Sequence, residues 1–110
     1  MANTFQSEFQ RNIGTTPVAV YTATSPVLTS TLIGMTVANT TNDQVFVDVY
    51  VTRSTADYYL VKGASVVVGG ALVPIGGDQK LVLETGDKIS VKSNVATSLD
   101  VTVSLLEKTP

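Results

Sequence analysis

The sequence predicts an all-β protein, a single antiparallel β-sandwich (jelly-roll or Ig-like) of about eight short strands with an N-terminal arm. Three observations carry that expectation. Residues 45–52 read Val-Phe-Val-Asp-Val-Tyr-Val-Thr. A pleated strand sends successive side chains to opposite faces, so Val45, Val47, Val49 and Val51 fall on one apolar face. Leu99, Val101, Val103 and Leu105 repeat the pattern near the C-terminus. Valine, isoleucine and threonine supply 38 of the 110 residues, and these β-branched side chains are stiff at χ1 and pack well on a pleated surface. A single domain of this length buries about 65% of its unfolded surface, which is enough for a core.

Residues 1–15 form the arm. Phe5, Phe9 and Ile13 lie four apart, and Asn3 followed by Gln6 resembles a capping box, so residues 4–11 fit a short helix with one apolar stripe. Four is also an even number, and the same three residues share one face of an extended segment. The arm either folds back over the edge of its own sandwich or docks on a neighbouring subunit, which makes Phe5, Phe9 and Ile13 candidate interface residues. The segment is polar and includes Gln6, Glu8 and Arg11, unlike a signal-peptide hydrophobic stretch or a membrane span. A soluble chain made in a cytoplasm is the expectation.

Residues 16–110 form the sandwich. Residues 16–22 give a first strand, closed by Thr24-Ser25-Pro26, and residues 30–39 a second, with Gly34 marking a bulge or a close backbone approach. After a polar turn at residues 40–43, residues 44–53 pair with 57–62 as a hairpin, and Lys62-Gly63 turns into a strand over 64–68. Gly69-Gly70 ends it. Residues 71–75 carry Pro74, which lacks an N–H donor and belongs at a sheet edge. Gly76-Gly77-Asp78 reads as a turn. Residues 80–83 and 88–93 then form a second hairpin across residues 84–87, and residues 98–106 close the domain.

The same residues announce no catalysis. The chain contains no histidine and no cysteine, so the usual general base, the thiol nucleophile, disulfide staples and the usual transition-metal ligands are missing. Asp78, Glu84 and Asp87 gather near glycine-rich turns, where oxygen ligands for calcium can collect, but they match no EF-hand spacing and read as solvated turn carboxylates. Gly69-Gly70 and Gly76-Gly77 lack the Gly-Lys-Ser/Thr ending of a phosphate loop. Tyr58-Tyr59 offers an interface or sugar-stacking platform, but alternation points one ring inward and one outward, giving one core ring and one surface ring. Tyr58 joins the candidate interface set. Asn39-Thr40-Thr41 matches a glycosylation acceptor by chance, given no secretory signal. A net charge of −2, with seven basic residues scattered singly, gives no footprint for nucleic acid or an anionic membrane. No enzyme, metal or cofactor is expected.

Several segments together resemble small virion structural proteins of tailed bacteriophages, particularly those infecting cyanobacteria. They are Arg11-Asn12-Ile13-Gly14 followed by a Val-Tyr-Thr strand, Val37-Ala38-Asn39-Thr40-Thr41, and Val51-Thr52-Arg53 leading into Asp57-Tyr58-Tyr59-Leu60-Val61-Lys62. The last is Gly77-Asp78-Gln79-Lys80-Leu81-Val82-Leu83-Glu84-Thr85-Gly86-Asp87. The similarity runs from Arg11 to Glu107. It implies a non-enzymatic particle component located in the virion, a head decoration, neck or tail subunit. Its partners are then other copies of itself and other virion proteins in a symmetric array. The alternative is a receptor- or carbohydrate-binding sandwich module of a tail fibre or baseplate, which needs two or three aromatic rings on one loop face.

Overall fold

The computed structural model of the chain describes residues 2–76 and 79–110. Among the described residues there are nine strands: β1 (Ala2–Ile13), β2 (Val18–Thr22), β3 (Thr29–Asn39), β4 (Val45–Arg53), β5 (Ala56–Val66), β6 (Ala71–Ile75), β7 (Leu81–Glu84), β8 (Lys88–Ser93) and β9 (Leu99–Thr109). They form two antiparallel sheets. The first has the order β1-β9-β3-β6, with β7 also pairing β3, and the second the order β2-β8-β4-β5.

The two alternating runs that predict the fold lie one in each sheet. Val45, Val47, Val49 and Val51 of β4 are buried, and so are Leu99, Val101, Val103 and Leu105 of β9. They meet Leu32, Met35 and Val37 of β3, Ile89 and Val91 of β8, and Leu83 of β7 in one apolar cluster. Each such side chain contributes about 1.5–3 kcal/mol by leaving water. The core is therefore shared between sheets, and neither sheet is stable without the other.

Two details depart from the sequence expectation and one open reading is settled, each for a local physical reason. Of the two readings of the N-terminal segment the extended one holds: β1 pairs with β9 from Ala2 opposite Thr109 to Ile13 opposite Leu99, so tertiary pairing overrides a weak helical periodicity. Gly63 does not turn the chain into a new strand. It sits at φ +66° inside β5, donating its N–H to Asp48 Oδ1 at 2.7 Å, and the strand bulges and continues to Val66. The segments on either side of residues 84–87 are not a hairpin, because β7 joins β3 while β8 joins β2 and β4. That corner carries the chain from one sheet to the other. Of the expected Gly76-Gly77-Asp78 turn, Gly77 and Asp78 lie outside the described residues.

Pro74 lies in β6, an edge strand that pairs only with β3, as its missing donor requires. Along the far side of β3, β7 lies opposite residues 29–32 and β6 opposite residues 35–38. Both run antiparallel to β3, so together they make one interrupted edge. The opposite edge of this sheet is the uninterrupted β1.

Candidate functional site

The candidate interface residues of the arm separate onto two sides of the sheet. Gln6, Glu8 and Gln10 stand opposite Leu105, Val103 and Val101, and cross-strand partners share a face, so these polar side chains point to the core side. Phe5, opposite Leu106, and Phe9, opposite Thr102, point outward. They are 76% and 67% exposed. Between Gln10 and Ile13 the register slips by one residue, with Asn12 at φ +59° and its N–H donated to Asp100 Oδ1 at 3.1 Å. Asparagine is one of the few L-residues that adopt this conformation readily. The extra residue reverses the side-chain parity. Ile13 thereby enters the core, 1% exposed.

Cross-strand pairs extend each phenylalanine into a row. Phe5 faces Leu106, Leu106 faces Thr31, and Thr31 faces Val82. This row crosses the outer face from β1 to β7. A second row runs from Phe9 through Thr102 to Thr36, beside the irregular stretch of β6 between Leu72 and Ile75 that carries Val73. Val73 is 59% and Val82 52% exposed. Sequence reasoning missed both valines. Val82 lies inside Leu-Val-Leu, where no polar residue marks the outward position, and Val73 lies with Pro74 inside the register slip between Leu72 and Ile75.

The core side of β1 carries a polar link between the sheets. Gln6 Nε2 donates to Glu107 Oε1 at 2.7 Å, and the Tyr21 hydroxyl donates to Glu107 Oε2 at 2.6 Å. Burial, followed by the hydrogen bond to Glu107, pushes the Tyr21 hydroxyl up to about 12. Glu107 thus holds β1 and β9 of one sheet to β2 of the other.

On the opposite flank, Tyr58 faces Val51 and Tyr59 faces Tyr50, so the two rings point to opposite sides as alternation requires. The expected core ring is not buried. β5 is an edge strand, and Tyr58 stays 61% exposed at a cleft of about 380 Å³ lined with Val51, Leu60, Leu81 and Leu83. Tyr59 packs on Tyr50 with centroids 5.0 Å apart and planes tilted by 40°, and Lys62 Nζ lies 5.0 Å from the Tyr59 ring centre. These rings are engaged with their neighbours.

The acidic turn residues serve the corner between the sheets. Asp87 is buried, not solvated, and accepts from Arg53 Nη2 at 2.6 Å, from Arg53 Nε at 3.0 Å and from the Glu84 N–H at 2.9 Å. The Arg53 hydrogen bonds hold its carboxyl below the ordinary value in spite of burial, and the Glu84 N–H adds to the effect. Glu84 approaches Arg53 only to 3.9 Å, and Asp78 lies outside the described residues. Among the described residues no three carboxylates gather where they can share a metal ion. Asn39 is likewise structural: its amide donates to Asp43 O at 2.7 Å and Val66 O at 3.0 Å and accepts from the Thr41 N–H at 2.8 Å. The glycosylation-like triplet is a loop staple. The described surface presents apolar area beside strand edges, with Phe5, Phe9, Val73 and Val82, and also in the loop of Val67 and Val68.

The fold and surface define a two-sheet antiparallel protein with exposed apolar residues at opposite edges of one sheet. No protein-family model matches the chain, and no curated protein is similar to it. Among solved structures, the fold is similar to that of a chain from Bacillus endospore appendages, described as a novel family of disulfide-linked pili. The TM-score is 0.59 at 11% sequence identity, covering 98% of this chain and 87% of that one.

Proposed function

We propose that this chain is a non-enzymatic structural subunit that binds further copies of itself and other virion proteins of a tailed phage, as a head-decoration, neck or tail component. The observation that carries the proposal is β1, a 12-residue edge strand paired only with β9 and presenting Phe5 and Phe9 to solvent. A long edge strand with apolar side chains on an open face is an association surface. The virion assignment rests on the resemblance over Arg11 to Glu107.

We further infer a sandwich of the jelly-roll kind. The orders β1-β9-β3-β6, with β7 beside β6 on β3, and β2-β8-β4-β5 interleave early and late strands in both sheets, as two nested Greek keys do. The pilus chain of similar fold belongs to a protein polymer, in line with an assembly role. This chain has no cysteine, so its copies join by packing and hydrogen bonds. A carbohydrate-binding fibre module gains less support, because Tyr58 and Tyr59 point to opposite sides and Tyr59 already packs on Tyr50 and Lys62.

The test is immunogold labelling of purified particles with an antibody to the recombinant chain. Labelling at symmetry-related positions is the expected result. Recovery of the chain only from the particle-free lysate contradicts the virion assignment.

A further inference from the structure

We propose that the β1 edge of one copy pairs antiparallel with the β7 edge of a second copy, in the register that sets Phe5 opposite Val82 and lays Phe9 against Val73. The inference deepens the assembly role proposed above and rests on it.

Strand direction supports this geometry. β1, β9, β3 and β7 alternate in direction along the sheet, so β1 and β7 run oppositely. A second copy added in the same orientation therefore brings its β1 antiparallel to β7, and the sheet continues without a change of pattern. The occupant is a second copy because the matching spacing is built into the chain's own sheet. Phe5 and Val82 end one cross-strand row, while Phe9 begins a second that leads through Thr102 and Thr36 to the irregular stretch of β6 carrying Val73. Stacking copies along the sheet sets each exposed phenylalanine beside an exposed valine on the same outer face, and aromatic and β-branched residues are a favourable cross-strand pair.

The register also avoids repulsion. Asn3 falls opposite Glu84, Thr4 opposite Leu83 and Gln6 opposite Leu81, so no like charges oppose one another along β7. The two charges of β1, Glu8 and Arg11, are of opposite sign. Pro74 has no N–H to donate, so the main-chain ladder is confined to β7 and Phe9 meets Val73 through side-chain packing alone. A β1-to-β1 pairing about a two-fold axis leaves Val73 and Val82 uncovered. The proposed contact is heterologous: each copy retains a free β1 or a free β7, and copies add until a ring closes or a filament grows.

Two variants of the full chain, Phe5→Lys and Val82→Lys, test it by sedimentation velocity. Both positions are exposed, so both variants keep the wild-type circular dichroism and melting curve. Each alone weakens self-association by about tenfold or more. Mixed, they form a one-to-one dimer that grows no further, because Phe5→Lys retains an intact β7 edge and Val82→Lys an intact β1 edge. A Val82→Lys protein that assembles like the wild type overturns this contact while leaving the assembly role standing. So does a mixture that stays monomeric beside an oligomeric wild type. A wild-type chain that is monomeric at every concentration removes both proposals.

Discussion

Asp87 and Tyr21 are the residues at which charge and fold are most tightly linked. The Asp87 carboxyl lies below its ordinary 3.8 because the folded state holds it ionised against Arg53. A depressed carboxyl contributes stability that is present above the unfolded value and lost as pH falls through the folded one. Asp87→Asn should cost about 1–3 kcal/mol at neutral pH, the usual loss for a buried hydrogen-bonded acceptor. It should also flatten the acid limb below about pH 4. Urea melts across that range check both, and an unchanged acid limb contradicts the assignment. Tyr21 has the opposite sign. Its folded value of about 12 lies above the ordinary 10, so its contribution is complete below pH 10 and disappears as pH rises toward 12. Tyr21→Phe should remove that alkaline loss, read from melting temperature against pH.

At the scale of the element, β1 shows what a period-two pattern reveals and where it stops. Phe5, Phe9 and Ile13 are equally spaced, yet two lie on the surface and one in the core, because the single extra residue at Asn12 reverses parity. Nothing in the hydrophobic pattern announces a bulge; an asparagine able to take positive φ is the one local signal. Gly63 is the same problem in β5, where a glycine read as a turn is a bulge. The long alternating runs of β4 and β9 were legible because each is regular against the core. The exposed rows leading to Val73 and Val82 were not, since they depend on cross-strand registers set by distant segments.

Two outcomes within one strand check this account of β1. Ile13→Ala should cost about 2–5 kcal/mol, the range for truncating a fully buried aliphatic side chain. Phe5→Ala should leave monomer stability within about 0.5 kcal/mol. Chemical denaturation of both variants at low protein concentration separates them, and equal costs contradict the placement. In β9, Val103→Asp puts an unpaired charge among buried side chains, a penalty of several kcal/mol that rivals the whole stability of a domain this size. That variant should not fold, and a soluble, cooperatively melting protein contradicts the position of Val103 in the core.

At the scale of the molecule, the sheet holding β1 has unequal edges. One is long and continuous; the other is divided between β6 and β7. Between them runs an outer face with exposed apolar side chains at both ends and Leu106 and threonines between them. A monomer gains nothing from exposed phenylalanines on an edge strand, whereas an assembling subunit uses both edges. The most direct measurement of that role is the weight-average mass of the wild-type chain by static light scattering over a wide concentration series at neutral pH. Assembly through unlike edges predicts a mass that climbs past the dimer as concentration rises, with unchanged circular dichroism. A constant monomer mass from micromolar to near-millimolar concentration contradicts the self-associating subunit.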